Sequence, residues 1–172
     1  ITCLSDLMSK VGEPGKMGLL YFACTLFGHK INIMLDCGST RDFIDSMLVK
    51  RLGLTPTKLT QGLTVQAMGG ANLLNSTYMV EQCRIKFPKQ FQFTRDLHVL
   101  DMNQKFDIVL RMPFLAAHNP QIDWVRRTMT LKSTYFHNGQ EVVSERTVRQ
   151  RPNSMAMTES YCDSMTAGAE IR

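Results

Sequence analysis

The chain of 172 residues has no C-x-x-C pair, only one tryptophan and no apolar run as long as a membrane span. Its five cysteines, Cys3, Cys24, Cys37, Cys83 and Cys162, are odd in number and widely spaced. That spacing supports neither a zinc site nor a dithiol redox motif, and points to free thiols in a reducing compartment. His29, His98, His118 and His137 lack ligand spacing, so no metal and no cofactor is expected. No signal-peptide pattern opens the chain, and no repeat recurs at a solenoid period. It begins at Ile1 rather than Met and reads as a piece of something longer. The net charge is +5, with Arg126, Arg127, Lys132, Arg146, Arg149 and Arg151 late in the sequence. Apart from Tyr135-Phe136 no aromatics interleave with them, so a solvated basic surface is expected rather than a nucleic-acid interface.

What is present suits one globular domain: 44% apolar and 20% charged residues. Residues 1–16, with Gly12, Pro14 and Gly15, read as a leader or linker. Residues 17–135 read as the domain, and 136–172 as a hairpin remnant followed by a flexible tail, since alternation fades from 145. A hairpin is expected from Leu19–Leu26 and Lys30–Leu35 around Gly28-His29. A helix is expected over 43–52, with Asp42 as N-cap and Gly53 beyond its end. Strands follow from Leu59 to Leu100, broken by Gly69-Gly70 and by Pro88. Phe106–Leu110 reads as an apolar strand, and Met112–His118 as a short helix with Pro113 in its first turn. Short strands at 122–124 and 128–131 flank Arg126-Arg127, and Asn138-Gly139 marks another hairpin. Trp124 is expected over the core edge, and Asp107 and Asp123 in structural roles.

The most informative stretch is Ile33-Met34-Leu35-Asp36-Cys37-Gly38-Ser39-Thr40. One carboxylate leaves an apolar strand and enters a tight turn of glycine and small hydroxyl residues. Alone, Asp36 would be a turn or cap residue, and Ser39 and Thr40 would bond the loop backbone. Burial raises a carboxyl pKa, and a second carboxylate nearby raises one of the pair further, which is how a shared-proton acid/base arises. The motif occurs once, so such a pair requires two chains.

With this loop, three further segments carry a resemblance. They are Phe43-Ile44 with Leu52-Gly53-Leu54, then Val65 to Leu73, then the block from Phe106 through Pro113-Phe114-Leu115, His118-Asn119-Pro120 and Ile122-Asp123-Trp124. Together, over roughly residues 17–132 by motif order, the chain resembles the retropepsin-like aspartic proteases of long-terminal-repeat retrotransposons, closest to the Ty3/gypsy type. The resemblance implies a mostly-β, closed-barrel acid-protease fold with two short helices. It implies a homodimer with Asp36 of each chain as the catalytic group, and Cys37, Gly38, Ser39 and Thr40 completing the active-site loop. Met68, Gly69 and Gly70 would be the flap over substrate, and Val109, Leu110 and Arg111 would lie behind the site. The substrate would be a peptide or Gag-Pol polyprotein, cut by activated water without a cofactor. The location would be the cytoplasm, with no membrane and no nucleic acid as partner of this domain. The alternative is a catalytically inactive module of the same fold that dimerises or binds peptide.

Two residues depart from the family pattern. Cys37 stands where serine or threonine is usual, and a thiol is a weak hydrogen-bonding group. Arg111 stands where glycine is usual. A guanidinium cannot shed its charge, and burying it unpaired is expensive. Arg111 must therefore reach solvent, pair with a carboxylate, or distort the site.

Overall fold

The structure, a computed structural model, describes residues 20–38, 40–66, 73–103 and 106–150. The leader expected over 1–16 and the chain from 151 onward lie outside these residues. Strands β1 (Leu20–Leu26) and β2 (His29–Leu35) form the expected hairpin, in register from Leu20 opposite Leu35 to Leu26 opposite His29. Phe27 and Gly28 make its turn, with φ of 48° and 85°. Glycine takes that conformation without a Cβ penalty.

The end of β2 is buried on both faces. Ile31, Ile33 and Leu35 enter the main core, while Met34 joins a second cluster with Tyr21, Phe43, Leu100 and Val109. A strand covered on both sides needs a continuous apolar run, which Ile33-Met34-Leu35 supplies. Fully burying each such side chain is worth about 1.5–3 kcal/mol.

Beyond β2 come β3 (Phe43–Asp45), α1 (Ser46–Arg51), β4 (Thr57–Gln66), β5 (Leu73–Lys86), a 3₁₀ turn at Pro88–Gln90 and β6 (Gln92–Leu100). Then follow β7 (Ile108–Leu110), α2 (Met112–His118), β8 (Gln121–Asp123), β9 (Thr128–His137) and β10 (Gln140–Arg149). The larger sheet runs β1-β2-β7-β3-β6-β5-β4, and β1 also pairs with β5 through Thr25 opposite Lys86 and Leu26 opposite Ile85. Strands β1, β2, β7, β3, β6 and β5 thus close into a six-stranded barrel, with β4 hairpinned onto β5. This is the mostly-β closed barrel with two short helices that the resemblance implied.

Four local expectations change. The helix placed over 43–52 is shorter, because Phe43 and Ile44 pair with β6 and β7 as β3. Asp45, not Asp42, is the N-cap: its Oδ2 accepts the Met47 N–H at 3.1 Å and its Oδ1 the Met102 N–H at 2.9 Å. Trp124 is 53% exposed in the turn after β8 and does not cover the core edge. Strand β10 continues past residue 145, pairing to Arg149 opposite Thr128. Its alternation is hard to read because Val148 is its only fully buried residue. The second helix meets its expected limits, with Asn119 as a left-handed C-cap whose N–H donates to the Leu115 carbonyl at 2.8 Å. Its own Phe114 packs against Phe87 and Phe93, with centroids 4.9–6.2 Å apart among the three rings.

Candidate active site

Asp36 leaves the apolar end of β2 and remains 8% exposed. Its N–H donates to the Leu110 carbonyl at 3.0 Å, extending the β2–β7 pairing by one step. Its Oδ1 accepts the Gly38 N–H at 2.8 Å, so the carboxylate closes the turn that follows it. Cys37 is an exposed free thiol. Thr40 is exposed, and its carbonyl accepts from Arg41 Nη1 at 3.1 Å. Ser39 lies outside the described residues, as do Met68, Gly69 and Gly70. The arms of the β4–β5 hairpin converge on that last stretch, with Gln66 opposite Leu73.

Val109 and Leu110 are fully buried in β7, directly behind the loop. Arg111 follows them and is only 5% exposed. Of its three possible fates, the structure selects the carboxylate. Arg111 Nε donates to Asp36 Oδ2 at 2.9 Å, and Nη2 donates to the same oxygen. The guanidinium carbon stands 5.4 Å from the Phe43 ring centroid. A flat cation over an aromatic face gains some electrostatic attraction. The pair is therefore sheltered on one side by a ring and on the other by the strand ends.

A second ion pair supports the first. Asp42, 3% exposed, accepts the Arg111 backbone N–H on Oδ1 at 2.6 Å and Arg95 Nε on Oδ2 at 2.9 Å. Burial pushes the Asp42 carboxyl pKa up, opposed by these hydrogen bonds and the Arg95 charge. The Asp42 carbonyl accepts the His98 N–H at 3.0 Å. Burial lowers the His98 pKa. Among the described residues, Arg95 Nη2 and His98 Nδ1 are buried without a hydrogen-bond partner. Asp42 and Arg95 were not anticipated as neighbours of the site; the sequence signal at Asp42 is equally that of a helix cap. Asp107 and Asp123 have structural roles as expected. Asp107 accepts from Asn32 N at 2.8 Å and Arg51 Nη2 at 3.3 Å, and Asp123 caps the turn to Arg126.

The chemistry open to Asp36 within one chain is limited. An ionised carboxylate offers about four lone-pair positions. Arg111 takes two on Oδ2 and Gly38 takes one on Oδ1. What remains is one acceptor position beside a fixed cation. Among the described residues, no group of three or more His, Cys, Asp or Glu is placed to hold a metal, and no helix is long and apolar enough to cross a membrane.

A family model described as the PEG10/RTL1 protease domain matches residues 32–139, spanning the Asp36 loop, β7 and Arg111. No curated protein matches the chain. Among solved structures, the retroviral protease-like domain of Ddi1 from Leishmania major is similar, with a TM-score of 0.54 at 14% identity. That match covers 78% of this chain and 97% of the other, and at this identity it is a likeness of fold. A retropepsin-like aspartic protease from Rickettsia conorii is similar over 63% of this chain and 88% of its own, at 21% identity and a TM-score of 0.46. With its closed barrel, its strand-end aspartate and a family match over most of its described length, this chain belongs to the PEG10/RTL1 protease domain family.

Proposed function

We propose that this chain is the aspartic endopeptidase domain of a Ty3/gypsy-type retrotransposon Gag-Pol polyprotein, acting in the cytoplasm as a homodimer on peptide segments of that polyprotein. The observation that carries this reading is the setting of Asp36, a nearly buried carboxylate held at a strand end by the Gly38 N–H and by β7. Two such carboxylates, one from each chain, would share a proton. The ionised one would draw a proton from water, and the protonated one would donate to the scissile carbonyl.

A second reading has its own observation. The Arg111 guanidinium on Asp36 favours a peptide-binding or dimerising module of the same fold without hydrolysis. One experiment separates the two: sedimentation of the purified chain, with cleavage of a peptide library by wild type and Asp36→Asn. Cleavage by a dimer that Asp36→Asn abolishes supports the endopeptidase. Cleavage that survives in Asp36→Asn removes the paired-aspartate mechanism, and a dimer that cleaves nothing supports the second reading.

A further inference from the structure

We infer that Arg111 is an autoinhibitory residue, whose side chain occupies the face of Asp36 that water and a scissile carbonyl would have to reach. This rests on the endopeptidase reading above and relates it to the non-hydrolytic one: the chain as written is closed, and removal of one side chain opens it. Three observations support this. Both Arg111 donors converge on a single oxygen, Asp36 Oδ2, while Oδ1 is engaged by Gly38. The two side chains are only 7% and 6% exposed, so solvent has little access with which to compete. The backbone at residue 111 is held separately, since its N–H donates to Asp42 Oδ1 and Asp42 is itself anchored by Arg95.

That third observation makes the contact separable from the fold. Residue 111 has φ −125° and ψ −154°, an extended conformation that any residue can adopt. Arg111→Gly therefore removes the guanidinium and leaves the amide that Asp42 holds. The emptied slot lies between Asp36 and the Phe43 ring. It has the shape and charge to take a free guanidinium ion, which would restore the block without the covalent link.

The test uses wild type, Arg111→Gly and Arg111→Gly/Asp36→Asn. It measures peptide-library cleavage and, by calorimetry, binding of a statine-containing peptide whose hydroxyl mimics the tetrahedral intermediate. Arg111→Met serves as a second variant of similar length should the glycine variant fail to fold. The inference expects at least a hundredfold gain in kcat/KM and measurable statine binding on removing the guanidinium. Both should be lost in the double variant, and both suppressed by millimolar guanidinium chloride but not by equal sodium chloride. If wild type cleaves within threefold of the variants, the autoinhibition is wrong and the endopeptidase reading stands. If nothing cleaves but only the variants bind statine, the endopeptidase reading fails and autoinhibition of cleavage with it, and Arg111 is a block on ligand access to Asp36 alone. If no variant cleaves or binds, both fail.

Discussion

Replacing Asp36 by asparagine should destabilise this protein, although the same change at an uncompensated buried carboxylate would relieve a penalty. The reason is Arg111. Both side chains are almost fully enclosed, at 7% and 6% exposure, and Asp36 Oδ2 receives two guanidinium donors. Asparagine has a single carbonyl oxygen, which can serve the Gly38 N–H or Arg111 but not both, and its NH2 then faces another donor; it also removes the negative charge. A buried guanidinium is then left without a counter-ion, and breaking a buried pair in this way costs about 3–5 kcal/mol. With an acceptor lost as well as the charge, the whole range of about 3–5 kcal/mol applies. At roughly 2–4 °C per kcal/mol for a chain of this size, Tm should fall by about 6–20 °C. Calorimetry at neutral pH on wild type, Asp36→Asn, Arg111→Met and the double variant measures this directly. The double variant should recover most of the loss, because neither charge remains to be desolvated, and the cycle isolates the pair. A shift below about 2 °C for Asp36→Asn, or strictly additive single effects, would refute the buried pair.

Three other outcomes follow from the same structure. Asp45→Ala removes the cap of α1 and the acceptor for Met102 N–H, so urea denaturation should show a loss of about 2–3 kcal/mol; a loss under about 0.5 kcal/mol would deny the capping role. In a Cys3→Ser/Cys162→Ser background, a thiol reagent at pH 8 should label Cys37 at once. Cys24 and Cys83 should react only on unfolding, since both are buried and burial, reinforced by the Asp96 charge, pushes the Cys83 thiol up to about 12. Native-state labelling of Cys83 as fast as Cys37 would contradict that burial. His98 and His118 have pKa values lowered chiefly by burial from the usual 6.5, so the unfolded chain binds their protons more readily. Their contribution to stability is present above that value and is lost as pH falls through their lower folded values. His118→Phe, amid Phe91, Phe93 and Phe114, should flatten the decline in urea midpoint between pH 7 and 5; an unchanged slope would dismiss His118 as a contributor.

Much of the fold was legible because its signals are local. Gly28 and Asn138-Gly139 mark hairpins through the positive φ that their turns require. Pro113 and Asn119-Pro120 bracket the second helix, because proline suits a first turn and the residue before a proline avoids the helical region. The misread places are those where tertiary pairing overrides local preference. Phe43 and Ile44 fit a helical spacing, yet they form a strand because β6 and β7 present open edges beside them. Asp42 has the chemistry of a cap, yet it is drawn into the interior by Arg95 from β6 and by the Arg111 amide.

The sequence by itself determined where the carboxylate emerges. An apolar run covered on both faces must end in a turn, and Asp36-Cys37-Gly38 is that turn. It also determined that a permanent charge at position 111 had to find a partner or water, since a guanidinium cannot be neutralised. Only the tertiary structure decided which. Seventy-five residues separate Arg111 from Asp36, and no periodicity spans such a distance. The pairing of β7 beside β2 brings the two strand ends together, excludes water from both, and leaves the aspartate as the nearest group able to compensate the charge.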